Sequence, residues 1–175
     1  MNTQDQKRMQ RILDGLVTQI NETLKGFAEF VKARTATVPA KAQTGFVPTY
    51  AHEGDAGADL YSTQYVTIYP GETLTVDVGV SVALPVGTVA LVCSRSGMAR
   101  KSSIHVLNSP GIIDQGYRDN LGAILHNSGT EPFVISRGDR IAQLVILPFV
   151  RAEFVAVEEL PESERGKGGF GSSGK

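Results

Sequence analysis

The chain has 175 residues, a formal net charge of −1, three histidines and one cysteine. That length bounds one domain with appendages, and the near-neutral balance gives no bulk field for nucleic acid or an anionic membrane surface. Cys93 has no partner for an internal disulfide, and His52, His105 and His126 lack metal-ligand spacing, which argues against a zinc site or a His-driven triad.

The N-terminus is polar and no apolar run approaches the ~18 residues of a membrane span. The chain therefore reads as soluble and cytoplasmic, with no direct DNA or membrane binding expected. Residues 4–34 contain no proline and place Met9, Leu13, Leu16, Ile20, Leu24, Phe27 and Val31 on one helical face. This helix either packs on its own domain or covers itself in an oligomer or partner contact. Residues 35–48 read as a linker entering a first edge strand.

The pattern then changes to period two. Leu74, Val76, Val78, Val80, Val82 and Leu84 alternate with small or polar residues, the signature of a half-buried strand. Further strands are expected near 64–69, 88–93, 121–126, 132–136, 141–147 and 152–157. Short strands with regular turns and no intervening helical pattern predict an all-β fold, an antiparallel jelly-roll-like barrel or sandwich. Cys93 ends one of these runs and reads as a small buried residue.

Five segments interrupt the strands with chemistry-bearing residues. Asp55 to Leu60 holds Asp59 in a small-residue loop, which also fits an ordinary Asp-rich turn. Ser94 to Lys101 combines Arg95 with hydroxyls and exposed amides, a composition suited to polyphosphate. Asn108 to Arg118 carries an amide, Asp114 between apolar residues and a turn, and Tyr117; Asp114 is a candidate general base, or the segment is a plain hairpin. Arg137 to Leu144 reads as a turn followed by a strand containing Gln143, which either satisfies a buried backbone group or points into a site. The Arg-Gly-Asp tripeptide within it has no secretory context that would make it an adhesion ligand.

The last segment, Arg165 to Lys175, holds five glycines, two serines and Phe170. It cannot fold alone, but its amides can wrap an anion and its ring can cover a base. Gly169 to Lys175 imitates the start of a P-loop, yet the chain stops where the motif needs Ser or Thr and then a helix.

In this order the five segments resemble the five motifs of the trimeric dUTPase (deoxyuridine 5′-triphosphate nucleotidohydrolase) family, bacterial or bacteriophage type, from about residue 48 to 175. The resemblance implies a jelly roll carrying an N-terminal helical extension (1–34), a linker and edge strand (35–47), a β core (48–158) and a flexible glycine-rich arm (159–175). It implies a homotrimer with active sites between subunits that hydrolyses dUTP to dUMP and pyrophosphate. Asp114 would activate the attacking water, and Tyr117 would pack against the deoxyribose. Asn108, with backbone at Ile112, Ile113 and Gly122, would read uracil. Arg95, Ser96, Gly97 and Gln143 would hold phosphates. Asp59 would support Mg2+ through water, the ion sitting mainly on substrate phosphates. Arg165 would reach the terminal phosphate, Phe170 would cover the uracil, and Gly171 and Ser172 would donate to phosphates. Asp119 stands where the family often has glycine, Arg100 has no assigned role, and the long N-terminal helix is atypical.

A deaminase of the same fold acting on dCTP would use a glutamate where the residue context here is Asp114, and it lacks this form of tail. A nucleotide-dependent regulatory module with a protein partner on the N-terminal helix is the alternative from another class. A purely structural jelly roll fits poorly with five retained polar motifs.

Overall fold

The alternation at residues 74–84 builds two strands rather than one. From Val76 to Leu84 its inward residues are buried as the pattern demands, with Val76, Val78 and Val80 fully enclosed and Leu74 partly buried. The break comes at Gly79, whose φ of +65° only glycine adopts comfortably; its amide donates to the Asp77 carboxylate (3.1 Å) and Val78 turns aside to bond Leu121. An added Cβ at Gly79 would sit 2.4 Å from the Thr63 methyl, so the position is closed sterically as well.

The computed structural model describes residues 13–25, 36–163 and 166. Residues 13–25 are helical and are termed α1; the remainder of the expected 4–34 helix lies outside the described residues. The strands are β1 (Ala40–Ala42), β2 (Gly57–Tyr61), β3 (Val66–Ile68), β4 (Thr73–Asp77), β5 (Val80–Val82), β6 (Thr88–Cys93), β7 (Ile104–Val106), β8 (Gly111–Ile113), β9 (Gly122–Asn127), β10 (Phe133–Ile135) and β11 (Arg140–Pro148). A short helix, α2 (Ser96–Ser102), follows β6.

All pairings are antiparallel. The sheets run β2-β11-β6-β8, β4-β9-β7, β1-β5 and β10-β3, so spatial neighbours are distant in sequence, as in a jelly-roll-like all-β fold. One apolar core joins them, with Leu60, Ile68, Val92, Ile104, Leu125 and Ile141 each at most 2% exposed. Burial of each such side chain contributes about 1.5–3 kcal/mol. The buried Asn127 is satisfied by donating to the Ile68 and Glu131 carbonyls and accepting from Gly129.

Three departures from the sequence expectation matter for the site. Asp59 lies on a strand, β2, rather than in a loop. The basic segment after β6 folds into α2 where no helical pattern was expected. Residues 152–157 form no strand: they lack regular structure, with Phe154 94% exposed. A strand needs a partner edge for its backbone groups, and among the described residues none is offered to this segment.

Candidate active site

Cross-strand pairing sets Asp59 opposite Gln143, and Gln143 opposite Cys93. Because side chains alternate along a strand, these three form one row across β2, β11 and β6, and Arg95, two residues past Cys93, points to the same side. Arg95 Nε donates to Asp59 Oδ1 at 3.0 Å. Arg140 Nη1 donates to Asp59 Oδ2 at 3.2 Å. Arg95 Nη1 donates to the Arg140 carbonyl at 3.0 Å. Asp59 is 8% exposed and thus holds both guanidinium groups from within the sheet face.

Gln143 Nε2 donates to the Ser94 carbonyl at 2.9 Å. It therefore satisfies backbone at the turn that leads to Arg95, and its second N–H remains for a ligand. Gly57 makes room for it, since a Cβ there would lie 2.3 Å from Gln143 Oε1. The Ser94 hydroxyl accepts from Val106 N, and the Ser109 hydroxyl accepts from Ser94 N, which fixes the turn from the other side.

Arg95 is also the N-cap of α2, and no side chain caps that end. Ser96 and Gly97 are exposed in the first turn. Uncapped first-turn amides and the helix dipole favour an anion there. Arg95, Met98, Phe133, Asp139, Arg140 and Ile141 line a cleft of about 240 Å³ beside this end. Arg95, Ser96, Gly97 and Gln143, the residues expected to hold phosphates, are thus brought to one place.

The second cluster sits on β8, β9 and the turn between them. Asn108 is exposed, and its amide nitrogen lies 3.2 Å from where a Cβ on Gly111 would stand. Ile112 is 62% exposed and Ile113 is half-buried. Asp114 opens a turn in which its carbonyl accepts from Tyr117 N (3.0 Å), and its side chain is exposed. Tyr117 is 42% exposed and its hydroxyl donates to the Asn120 carbonyl. Gly122 starts β9 opposite Asp77. Asp119, in the departure noted above, accepts from Asn120 N within the same turn.

The Asn108 end of the second cluster meets the first through the Ser94–Ser109 bond, but Asp114 lies farther along the sheet. β8 runs antiparallel to β6 with Ile113 beside Ala90 and Gly111 beside Val92. Asp114 therefore stands level with Val89, and the stretch from there to Ser94 covers about 17 Å at ~3.3 Å per residue. Arg165, Phe170, Gly171 and Ser172 lie outside the described residues. Among the described residues, no group of three or more His, Cys, Asp or Glu side chains could hold a metal ion, and no helix is long and apolar enough to cross a membrane.

Arg140 is the site residue that the sequence pattern missed. Counting back by two from Gln143 reaches Ile141, which is buried in the core. A bulge between Arg140 and Ala142 reverses that parity and turns Arg140 onto the Asp59 face. Cys93, expected to be buried, is only partly buried at the end of the row, and that partial burial pushes its thiol above its usual range.

A family model described as dUTPase matches residues 43–174. The chain is 51% identical over 129 residues to the deoxyuridine 5′-triphosphate nucleotidohydrolase of Leifsonia xyli subsp. xyli, covering 73% of this chain and 85% of that protein. It is 49% identical over 129 residues to the Clostridium tetani protein of the same description, with 74% and 89% covered. Among solved structures, the dUTPase of Staphylococcus bacteriophage 80alpha with dUPNHPP superposes with a TM-score of 0.74 at 33% identity, covering 81% of this chain and all of that one. A variant of the dUTPase of S. aureus phage phi11, described with a structural Mg(II) ion, superposes with a TM-score of 0.67 at 28% identity, covering 73% and 100%.

Proposed function

The chain belongs to the dUTPase family and hydrolyses dUTP to dUMP and pyrophosphate, and on that premise we propose how its residues divide the reaction. Arg95, the Ser96 and Gly97 amides and the free N–H of Gln143 bind the triphosphate. Asn108 and the backbone at Ile112, Ile113 and Gly122 read the uracil edge, and Tyr117 packs on the deoxyribose. Asp114 accepts a proton from the attacking water. The new bond forms between that oxygen and the α-phosphorus, the bond from the α-phosphorus to its bridging oxygen breaks, and pyrophosphate leaves with the electron pair. Triphosphate hydrolysis of this kind rests on positioning and charge neutralisation, which the Arg95 end supplies.

The observation that carries this reading is the ~17 Å along β6 between the phosphate cluster and Asp114. That separation supports sites built between copies, as a homotrimer would provide. The exposed segment after β11, with Val150 93% and Leu160 84% exposed, supports an arm that leaves its own core for a neighbour. Residues 48–158 are then the catalytic core, 35–47 a linker and edge strand, and 159–175 an arm that brings Arg165, Phe170, Gly171 and Ser172 over a site. The face of α1 that exposes Leu13, Leu16, Val17, Ile20 and Leu24 supports residues 1–34 as an extension covered by an oligomer or partner contact.

We propose Mg2+ as the divalent ion, carried mainly by the substrate phosphates with Asp59 supporting it through water. The residues fit: each Asp59 oxygen keeps a lone pair after bonding its arginine. The bound ion supplies positive charge to the phosphate oxygens.

The test is pyrophosphate release from dUTP, dTTP, dCTP and UTP in Mg2+, with sedimentation of the same sample. Release confined to dUTP by a trimeric species is expected. Equal turnover of the four nucleotides would overturn the site assignment, and a fully active monomer would overturn the shared site.

A further inference from the structure

We propose that Arg140 is a positioning residue for the established hydrolysis, acting on the phosphate-binding Arg95 through Asp59 without touching substrate. The proposal rests on the assignment of Arg95 to the phosphates. Three contacts carry it. Asp59 uses Oδ1 for Arg95 and Oδ2 for Arg140. Arg95 also donates to the Arg140 carbonyl. The bulge between Arg140 and Ala142 turns both the carbonyl and the side chain of Arg140 to that face.

Arg95 is consequently gripped along its Nε edge and at one Nη1 hydrogen. Its Nη2 end is left for an anion, since a guanidinium has five N–H donors in a rigid plane. Asp59 alone could hold Arg95, yet a carboxylate bonded at one oxygen still rotates about its Cβ–Cγ bond. The second guanidinium on Oδ2 removes that rotation. It also makes the cluster cationic overall, one carboxylate between two arginines, so the clamp orients Arg95 without cancelling the charge a triphosphate needs. The side chain of Asp59 is only 12% exposed, so these bonds are weakly screened, whereas that of Arg140 is 50% exposed and reaches the clamp from the solvent side. Arg140 lines the same cleft as Arg95, with its Nη1 and its carbonyl spent on the clamp.

A double-mutant cycle on the full-length enzyme tests this. Arg140→Gln should lower kcat/KM for dUTP by about tenfold, the scale of one charge-assisted hydrogen bond. Asp59→Asn should lower it further, and the double variant should be no worse than Asp59→Asn alone, because the path from Arg140 to Arg95 is already cut. Arg140→Lys should recover part of the loss, since a cation still reaches Oδ2. Inhibition by deoxyuridine, which carries no phosphate, should be unchanged in every folded variant, a readout that general structural damage would not spare. Multiplicative losses in the double variant would mean that Arg140 meets substrate itself and would overturn the proposal. Full activity of Arg140→Gln would overturn it as well. Should Asp59→Asn fail to fold by thermal melting, the Arg140→Gln and Arg140→Lys pair decides alone: equal losses, or weakened deoxyuridine inhibition, refute the clamp. A failure of Arg95→Gln to affect dUTP binding would instead refute the phosphate assignment and leave the clamp geometry as it stands.

Discussion

The phosphate end and the nucleoside hairpin are built in opposite ways. At the phosphate end, bonds cross three strands: Asp59 holds Arg95 and Arg140, Arg95 reaches the Arg140 carbonyl, and Gln143 holds Ser94. At the hairpin, the bonds are local: Asp114 to Tyr117, Tyr117 to Asn120, and Arg118 back to the Gln115 and Tyr117 carbonyls. Its functional faces are open, with Ile112 62% exposed and Tyr117 42% exposed. A cluster of mutually bonded groups is preorganised for charge, whereas a self-braced turn with bare side chains is shaped to be presented elsewhere. The difference supports the proposal that the hairpin serves a site whose phosphate end belongs to another copy.

The sharpest way to break that comparison is to damage each end separately and mix the products. Asp114→Asn keeps the shape but removes the base, and should lower kcat by roughly 10²–10⁴-fold, the usual worth of general base catalysis. Arg95→Gln should cripple the other end. When the two inactive proteins are coexpressed, mixed trimers should regain turnover of dUTP. Each hybrid contains sites that draw an intact hairpin from one chain and an intact phosphate end from another. If both ends came from the same chain, every site would carry one lesion, so activity that stays at the level of the single variants would refute the shared site.

A middle-sized effect tests whether the phosphate end is as preassembled as its bonding implies. Gly57→Ala would bring a methyl 2.3 Å from Gln143 Oε1 and 3.2 Å from its Cβ. The amide end could swing away, but the Cβ is fixed by the β2–β11 ladder, so the bond to Ser94 must give. The expected outcome is a destabilisation of about 1 kcal/mol by overpacking and a several-fold loss in kcat/KM for dUTP. A melting curve and turnover unchanged from the parent protein would mean that Gln143 moves freely and the end is looser than drawn.

How much of this was legible in the sequence follows the same division. Period-two burial announced the alternation at 74–84 and the strand at 88–93, because those patterns report directly on which side chains meet the core. The short β7 and β8 were not expected, since three residues carry too little period to register. The site residues Asp59, Arg95, Asp114 and Gln143 were all named from composition, order and resemblance. Arg140 was not, because a bulge shifts parity by one residue and leaves no compositional mark. The expected strand at 152–157 has a strand-like sequence but no partner edge among the described residues, and alternation alone does not report whether an edge is available.

The smallest expected effect probes the phosphate end from within its row. Cys93 lies beside Gln143, and burial raises its thiol pKa by disfavouring the charged thiolate. The sign is therefore definite: at any pH below the ordinary thiol range the folded protein holds less thiolate than the unfolded chain does. Because the thiolate is the nucleophile, alkylation by iodoacetamide near neutral pH should be slower in the native protein than in urea, and its rise with pH should begin later. Labelling should also leave most of the population active on a short time scale, since little of it reacts. A native rate equal to the denatured one would show that the row of Asp59, Gln143 and Cys93 opens readily to solvent, and the contrast with the exposed hairpin would then be one of degree only.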